Sequence, residues 1–345
     1  MNHPDWLLYC RPGFERDCIE ETRALPCPDS SGSGYVAVRG KPRLSYAQLV
    51  FARQLIRLHG SAIPLPERDR LTPLLEAISA MPGQFGALHL ETPDTNEGKT
   101  LSGFTRRFQP LLETALREAG RLTANAALPR LHLFFPDRQR AFVGVSEPDN
   151  SSAAHMGILR LKIPRDAPSR SWLKLAEAFE FFLNAGERQK WLKPGMHAVD
   201  LGAAPGGWSW QLAQRGIKVT AVDNGPLKGI AAEHPAIRHL RQDGFRYRPA
   251  RPVDWVMCDM VEQPQRVAAL MADWIASGHS ARAMFNLKLP MKKRLPALES
   301  ALGAIRETLE QKKIRYSIRA KQLYHDRDEV TVFLARGGGG KLGRA

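Results

Sequence analysis

The sequence predicts an α/β protein. Its carboxyl-terminal half reads as a doubly wound, mixed sheet closed by an antiparallel hairpin, preceded by two smaller α+β modules. The stretch Met196–Trp210, MHAVDLGAAPGGWSW, reads as strand, glycine turn and helix, the opening unit of a doubly wound domain, with loop N–H groups turned toward a ligand. Five consecutive apolar runs then each end in an ionisable residue or a glycine turn. The chain closes with a strand from about Lys313 to Ala320, a turn at His325–Asp328 and a strand Glu329–Leu334 (EVTVFL). A dinucleotide-binding sheet would close with parallel strands instead.

Charge and cysteine content narrow the setting. The 345 residues include 50 Lys and Arg against 35 Asp and Glu, a net charge of +15. Such an excess is the footprint of a polyanionic partner, a nucleic acid or a ribosomal particle. No long apolar run or signal peptide is visible, so no membrane partner is expected. Cys10, Cys18, Cys27 and Cys258 form no C-x-x-C pair, so neither a metal site nor a disulfide framework is indicated. A reducing cytoplasm is the expected location.

Residues 1–63 read as a ferredoxin-like module. DWLLYC (residues 5–10) is a strand, RPGF turns into a helix carrying Cys18, Ile19 and Thr22, and Gly34–Gly40 is a second strand. Gln48–Leu58 fits either strand or helix. Pro64-Leu65-Pro66 marks a boundary, and residues 64–150 form a second module. There Leu71–Ala80 has helical spacing, Phe85–Glu91 alternates like a strand, and Asp94-Thr95-Asn96 caps a long helical stretch from about Lys99 to Leu122. That stretch carries Arg106, Arg107, Arg117 and Arg121, suited to phosphate contact or to an ordinary solvated face. Leu131–Phe135 and Arg140–Val145 form a hairpin around Pro136-Asp137.

Residues 151–336 make the third unit, and residues 337–345 a glycine-rich tail expected to be disordered. Pro168–Ser171 leads into a helix, Trp172 to about Leu183, that carries Lys174; Ser171 fits its N-cap. The strand before the glycine turn ends near Asp200. Ile217–Val222 ends in Asp223, about 20 residues past Gly202, where an acid accepts hydrogen bonds from ribose hydroxyls. Ile237–Leu240 is followed by Asp243-Gly244, Asp254–Cys258 ends in Asp259, and Ala283–Leu287 ends in Lys288. Ligands of open parallel sheets bind outside the carboxyl ends of the strands, so these ends describe one site.

Here the sequence resembles a known family. VDLGAAPGGW, followed by VDNGP, RQDGF, CDM, FNLKLPMKKR and LYHDRDEVTV, is similar to the catalytic domain of FtsJ-like ribose 2′-O-methyltransferases. LLYCRPGFE, DTNEGK and HMGILRLKIPRDAPSRSWLKL extend the resemblance, over nearly the whole chain, to a bacterial family of 23S rRNA cytidine 2′-O-methyltransferases. The resemblance implies a Rossmann-like S-adenosyl-L-methionine methyltransferase domain behind ferredoxin-like and THUMP RNA-binding domains. It implies a catalytic tetrad of Lys174, Asp259, Lys288 and Glu329, with Lys288 as proton acceptor. The cofactor positions it implies are Ser171, the backbone of Ala204, Pro205, Gly206 and Gly207, Asp223, Asp243 and Asp259, and it implies no metal. Some members carry Cys where this chain has Ala204, a swap that leaves a backbone contact unaffected. The implied partner is 23S rRNA, met before the large subunit is fully assembled, by a monomeric enzyme.

The residues suit that chemistry. A 2′-hydroxyl is a weak nucleophile until its proton leaves, whereas a sulfonium methyl needs only in-line attack, so positioning and one base suffice. Nearby Lys174 and partial burial would lower the pKa of Lys288, while Asp259 and Glu329 oppose that. Two roles stay open, a neutral base and a cation that stabilises the developing alkoxide. Two other classes also stay open. A base methylase would carry an N-P-P-Y-like motif where this chain has Cys258-Asp259-Met260, and a non-catalytic RNA-binding protein would not need the four tetrad residues.

Overall fold

A computed structural model describes residues 3–337; residues 338–345, most of the tail expected to be disordered, lie outside the described residues. The chain divides into two compact units, Met1–Leu159 and Arg160–Ala345.

The first unit is built on one sheet. Its elements are β1 (Trp6–Tyr9), α1 (Glu15–Thr22), β2 (Leu25–Pro26), β3 (Tyr35–Arg39), β4 (Gln54–Leu58), β5 (Ile63–Pro64), α2 (Leu71–Ser79), β6 (Ala87–Glu91), α3 (Asn96–Thr100), α4 (Ser102–Glu118), β7 (Arg130–Phe134) and β8 (Arg140–Ser146). The strand order is β2-β3-β1-β4-β8-β7-β6, with β5 pairing β8. Residues 1–63 and 64–150 thus share a sheet, joined where Arg57 and Leu58 pair with Val145 and Gly144. The ambiguous stretch Gln48–Leu58 is strand only from Gln54. Before it, the buried Glu21 carboxylate accepts the N–H groups of Val50, Phe51 and Ala52, which takes these donors out of any backbone ladder and fixes this segment as a loop.

On α4 the buried Phe108, Leu112 and Leu116 recur every fourth residue and meet Leu74 and Ile78 of α2 and Leu131 and Leu133 of β7 in one core. The single long helix expected here is two. Thr95 caps the short α3 by accepting the N–H of Gly98 at 3.0 Å, and α4 stops at Glu118. Arg121 therefore lies beyond the helix, not on its basic face. Its guanidinium donates to the carbonyls of Ile78 and Met81 at 3.0 and 2.6 Å, satisfying groups at the end of α2. Arg106, Arg107 and Arg117 remain exposed on α4.

The second unit runs α5 (Ser171–Phe182), α6 (Ala185–Trp191), β9 (His197–Leu201), α7 (Gly207–Ala213), β10 (Lys218–Val222), α8 (Ile230–Glu233), β11 (Ile237–Leu240), β12 (Val253–Cys258), α9 (Pro264–Ala276), β13 (Ser280–Lys288), α10 (Arg294–Gln311), β14 (Tyr316–Lys321) and β15 (Glu329–Arg336). Its seven-stranded sheet has the order β11-β10-β9-β12-β13-β15-β14. The first five strands are parallel, and β15 runs antiparallel between β13 and β14. This is the mixed α/β sheet with a closing hairpin that the strand pattern predicts. The strand order reverses between β9 and β12, which opens a crevice at their carboxyl ends. Trp255, Phe179, Phe182 and Phe333 fill one face of the sheet with Leu212 and Val219. The four cysteines are free and buried. Among the described residues no helix is long and apolar enough to cross a membrane.

Candidate active site

The glycine turn after β9 is shaped by close approach. Gly206 has φ 108°, a left-handed conformation, and a Cβ there would lie 2.5 Å from the Ala231 Cβ. A Cβ on Gly207 would overlap Ser171 Oγ, so Ser171 sits against the turn. It is the first residue of α5 rather than its cap; Ser171 Oγ shares a 2.6 Å hydrogen bond with Ser169 Oγ, and the Ser171 carbonyl accepts from Trp208 Nε1 at 3.0 Å.

The turn opens onto a cleft of about 390 Å³ lined by Gly202, Ala204, Asp223, Asp243, Phe245 and Asp259, among others. Pro205, Gly206, Gly207 and Ser171, expected at the cofactor, do not line it. Asp223 accepts the N–H groups of Ala204 at 3.0 Å and Gly225 at 2.7 Å, one with each carboxylate oxygen, so it also holds the turn in place. Asp243 accepts the Phe245 N–H at 2.8 Å and lies 3.6 Å from Arg246 Nε, half exposed at the cleft rim. Asp200, near the end of β9, is buried and bound by Ser209 Oγ at 2.6 Å. Burial, with the charges of Asp259 and Asp223, pushes its carboxyl up to about 7.

Three of the four tetrad residues meet beside this cleft. Lys174 Nζ donates to Asp259 Oδ1 and Oδ2 at 3.1 and 3.2 Å and to Glu329 Oε2 at 2.5 Å. The parts come from α5, the end of β12 and the start of β15. Burial alone would lower the Lys174 pKa, but the Asp259 and Glu329 charges outweigh it and hold the ammonium above its ordinary range. One cation serves two carboxylates, so burial and the Glu329 charge leave the Asp259 pKa raised despite Lys174. Lys288 is the fourth. It ends β13 directly across the ladder from Glu329, but it is exposed, and among the described residues no ion pair engages it. The partial burial expected for it is absent, because β13 carries its side chain past the sheet edge. The carboxylates expected to orient Lys288 are bound to Lys174 instead.

A second cleft, about 410 Å³, adjoins the first and shares Val261 and Glu262 with it. Lys288 lines it together with Leu289, Pro290 and Pro264, and Val261, 77% exposed, separates the two. Lys288 therefore lines the mainly apolar cleft, which meets the polar one at Val261 and Glu262.

Several residues that the sequence pattern did not single out belong to this arrangement. Asn286 Nδ2 donates to Asp259 Oδ1 at 2.8 Å, Thr331 bonds Asn286, and Asp326 bonds Thr331. Buried Glu177 accepts the N–H groups of Tyr324 and His325 and pairs with His325 Nδ1 at 2.7 Å, which pins the turn before β15. The available signal was an isolated Asn in FNLK and an isolated Thr in EVTV, polar residues inside otherwise apolar strands, each two positions from a tetrad residue and hence on its face.

Comparison with known proteins agrees with this geometry. A family model described as FtsJ-like methyltransferase matches residues 167–306, and one described as ribosomal RNA large subunit methyltransferase M, N-terminal, matches residues 69–147. A ribosomal RNA large subunit methyltransferase M of Laribacter hongkongensis is 54% identical over 96% of this chain and 96% of its own length. The chain belongs to the ribosomal RNA large subunit methyltransferase M family. Members from Methylococcus capsulatus, at 48% identity, and Thauera aminoaromatica, at 46%, each cover 95% of this chain, with 97% and 95% of their own lengths matched. In this methyltransferase M chain the FtsJ-like match contains the glycine turn, both clefts, Lys174, Asp259 and Lys288, and Glu329 lies beyond it on β15.

Proposed function

We propose that this chain transfers a methyl group from S-adenosyl-L-methionine to a ribose 2′-hydroxyl of large-subunit rRNA, a cytidine of 23S rRNA, with Lys288 as proton acceptor. The observation that carries this reading is Lys288, free of ion pairs among the described residues and lining a cleft that adjoins the one beside the glycine turn. The cleft beside the glycine turn fits the cofactor by its donor set. Asp223 retains lone pairs for a ribose diol, Asp243 for an exocyclic amino group, and Asp259 faces the reacting end. When bound, the sulfonium supplies a methyl group that needs only in-line attack. The Lys174, Asp259 and Glu329 cluster carries a net charge of −1, which suits a cationic cofactor and leaves Lys288 to the substrate.

The target nucleotide occupies the second cleft, its base against Val261, Leu289 and Pro290 and its 2′-hydroxyl toward Lys288 Nζ. With the cofactor bound, Lys288 would take the hydroxyl proton as the oxygen–methyl bond forms and the sulfur–methyl bond breaks, with a neutral thioether as the leaving group. Exposure to the cleft lets Lys288 exchange that proton with solvent between turnovers. Residues 64–150 act as a THUMP-type RNA-binding module and residues 1–63 as a ferredoxin-like one, with Arg106, Arg107 and Arg117 of α4 on phosphates. The 23S rRNA is met before the subunit closes over the target, since a 2′-hydroxyl must be extruded to enter the cleft. Incubation of 23S transcript with labelled cofactor tests this. A new alkali-resistant dinucleotide containing 2′-O-methylcytidine is expected, and label on the base would overturn it.

A further inference from the structure

A chain of buried polar side chains stands behind the carboxylate pair. Asn286, 2% exposed, directs Nδ2 at Asp259 Oδ1, 2.8 Å away, and at Glu329 Oε2, 3.4 Å away. Its Oδ1 lies 2.8 Å from Thr331 Oγ1, and Thr331 Oγ1 lies 2.8 Å from Asp326 Oδ2. Thr331 and Asp326 are wholly buried. Asn286 and Thr331 are direct partners across the β13–β15 ladder, two residues from Lys288 and Glu329.

A reversed Asn286 amide would set its oxygen against two carboxylates, so the NH₂ group must face Asp259 and Glu329, and Oδ1 must accept from Thr331. Thr331 Oγ1 is within hydrogen-bond distance of both Asn286 Oδ1 and Asp326 Oδ2, and Asp326 Oδ2 also accepts the Leu323 N–H at 3.0 Å, so the chain is anchored at Asp326, whose Oδ1 is buried without a partner. The charged groups facing it, Glu177 of α5 and Glu329 of β15, are both acidic, and neighbouring His325 is committed to Glu177. Burial raises the Asp326 pKa far above the ordinary carboxylate range.

We propose that Asn286 is a positioning residue for the transfer reaction, locked by Thr331 and Asp326 so that its amide keeps both carboxylates on Lys174 and off Lys288. The inference rests on the reading of Lys288 as proton acceptor. Glu329 is the cross-strand partner of Lys288, and only its bonds to Lys174 and Asn286 turn it away. With the amide lost, Glu329 is held by Lys174 alone and is freer to reach Lys288, where a carboxylate would favour the ammonium form over a proton acceptor. The other ionisable groups there, Lys174, Asp259 and Glu262, are unchanged by the substitution.

The experiment compares full-length Asn286→Leu, Thr331→Val and Thr331→Ser with wild type on rRNA transcript across pH. Asn286→Leu keeps the branching with bulkier ends and Thr331→Val is near-isosteric, and both lose the hydrogen bonds; Thr331→Ser keeps the hydroxyl. The expected result is a fall in kcat of about 10- to 100-fold at neutral pH for the first two, the lower part of the range for acid–base defects, with cofactor affinity kept. The acid limb of their kcat–pH profile should move to higher pH, and Thr331→Ser should stay within about threefold of wild type. Wild-type kcat and profile in Asn286→Leu would overturn the inference. So would parallel loss of kcat, cofactor affinity and folding stability with an unmoved profile, since that is a packing defect. If the wild type itself yields no 2′-O-methylated ribose, the functional reading fails first, and the two failures are told apart by that control.

Discussion

Replacing Lys174 by Met removes the one cation that two buried carboxylates share. The Lys174 side chain is 17% exposed, and those of Asp259 and Glu329 are 19% and 15% exposed, so water cannot take over its role. Breaking a buried pair by deleting one partner costs about 3–5 kcal/mol, because the remaining charge stays desolvated. Here two remain, and they repel each other. The sign with pH follows. In the wild type the raised Lys174 pKa makes its contribution present at neutral pH and lost only in strong alkali, above the folded pKa. In Lys174→Met the folded pKa of Asp259 rises further above its unfolded value. The penalty therefore vanishes in acid and grows as pH rises. All tryptophans except Trp6 lie in the second unit, so denaturant unfolding followed by tryptophan fluorescence reports on this region. A loss of about 3–5 kcal/mol at pH 8, shrinking toward pH 4, is expected. Equal stability of the two proteins at both pH values would refute the shared-cation arrangement.

Asp200→Asn should relieve a buried charge. With the carboxyl at about 7 in the fold against 3.8 when exposed, wild-type stability falls between those values and the deficit is complete above pH 7, so the variant's stability–pH curve should be flatter there by a few kcal/mol. Parallel curves in denaturant titrations would remove Asp200 as the cause. Asp223→Ala should weaken S-adenosyl-L-methionine binding by about 1–3 kcal/mol, through the ribose and through the released Ala204 and Gly225 N–H groups; calorimetry showing unchanged affinity would count against it. RNA affinity should fall steeply with salt, and joint substitution of Arg106 and Arg107 by Ala should reduce the log–log slope by about 2, whereas Arg121→Ala should leave the slope alone and lower stability. An unchanged slope in the double variant would move the RNA elsewhere.

How much of this was legible in the sequence depends on range. The strand ends that line the crevice could be read because a parallel sheet puts every carboxyl end on one rim, and because apolar runs of strand length are bounded by charge. That Glu329 lies at the same rim followed from an antiparallel closing strand; its register opposite Lys288 did not. Which ammonium the carboxylates choose was not legible, since it depends on side-chain reach across α5, β12 and β15. Asn286, Thr331 and Asp326 were passed over because each is ordinary alone and becomes a chain only in register. Arg121 looked like part of a basic helix because helical spacing continues past Glu118, where the chain in fact turns. Gln48–Leu58 was ambiguous because its local pattern suits both states, and Glu21, far away in sequence, decides it.

The most direct test of the account is turnover of the Lys288 variants on 23S transcript with S-adenosyl-L-methionine. Lys288 is exposed and has no ion partner among the described residues, so its removal leaves the fold and the cleft beside the glycine turn in place. Lys288→Ala should keep cofactor and RNA affinity and lower kcat by about 10²–10⁴-fold, the span of a lost acid–base group. Lys288→Arg should fail as well, because a guanidinium stays protonated and its planar fork projects differently. Lys288→Arg retaining most of the wild-type kcat would contradict the assignment of Lys288 as the proton acceptor.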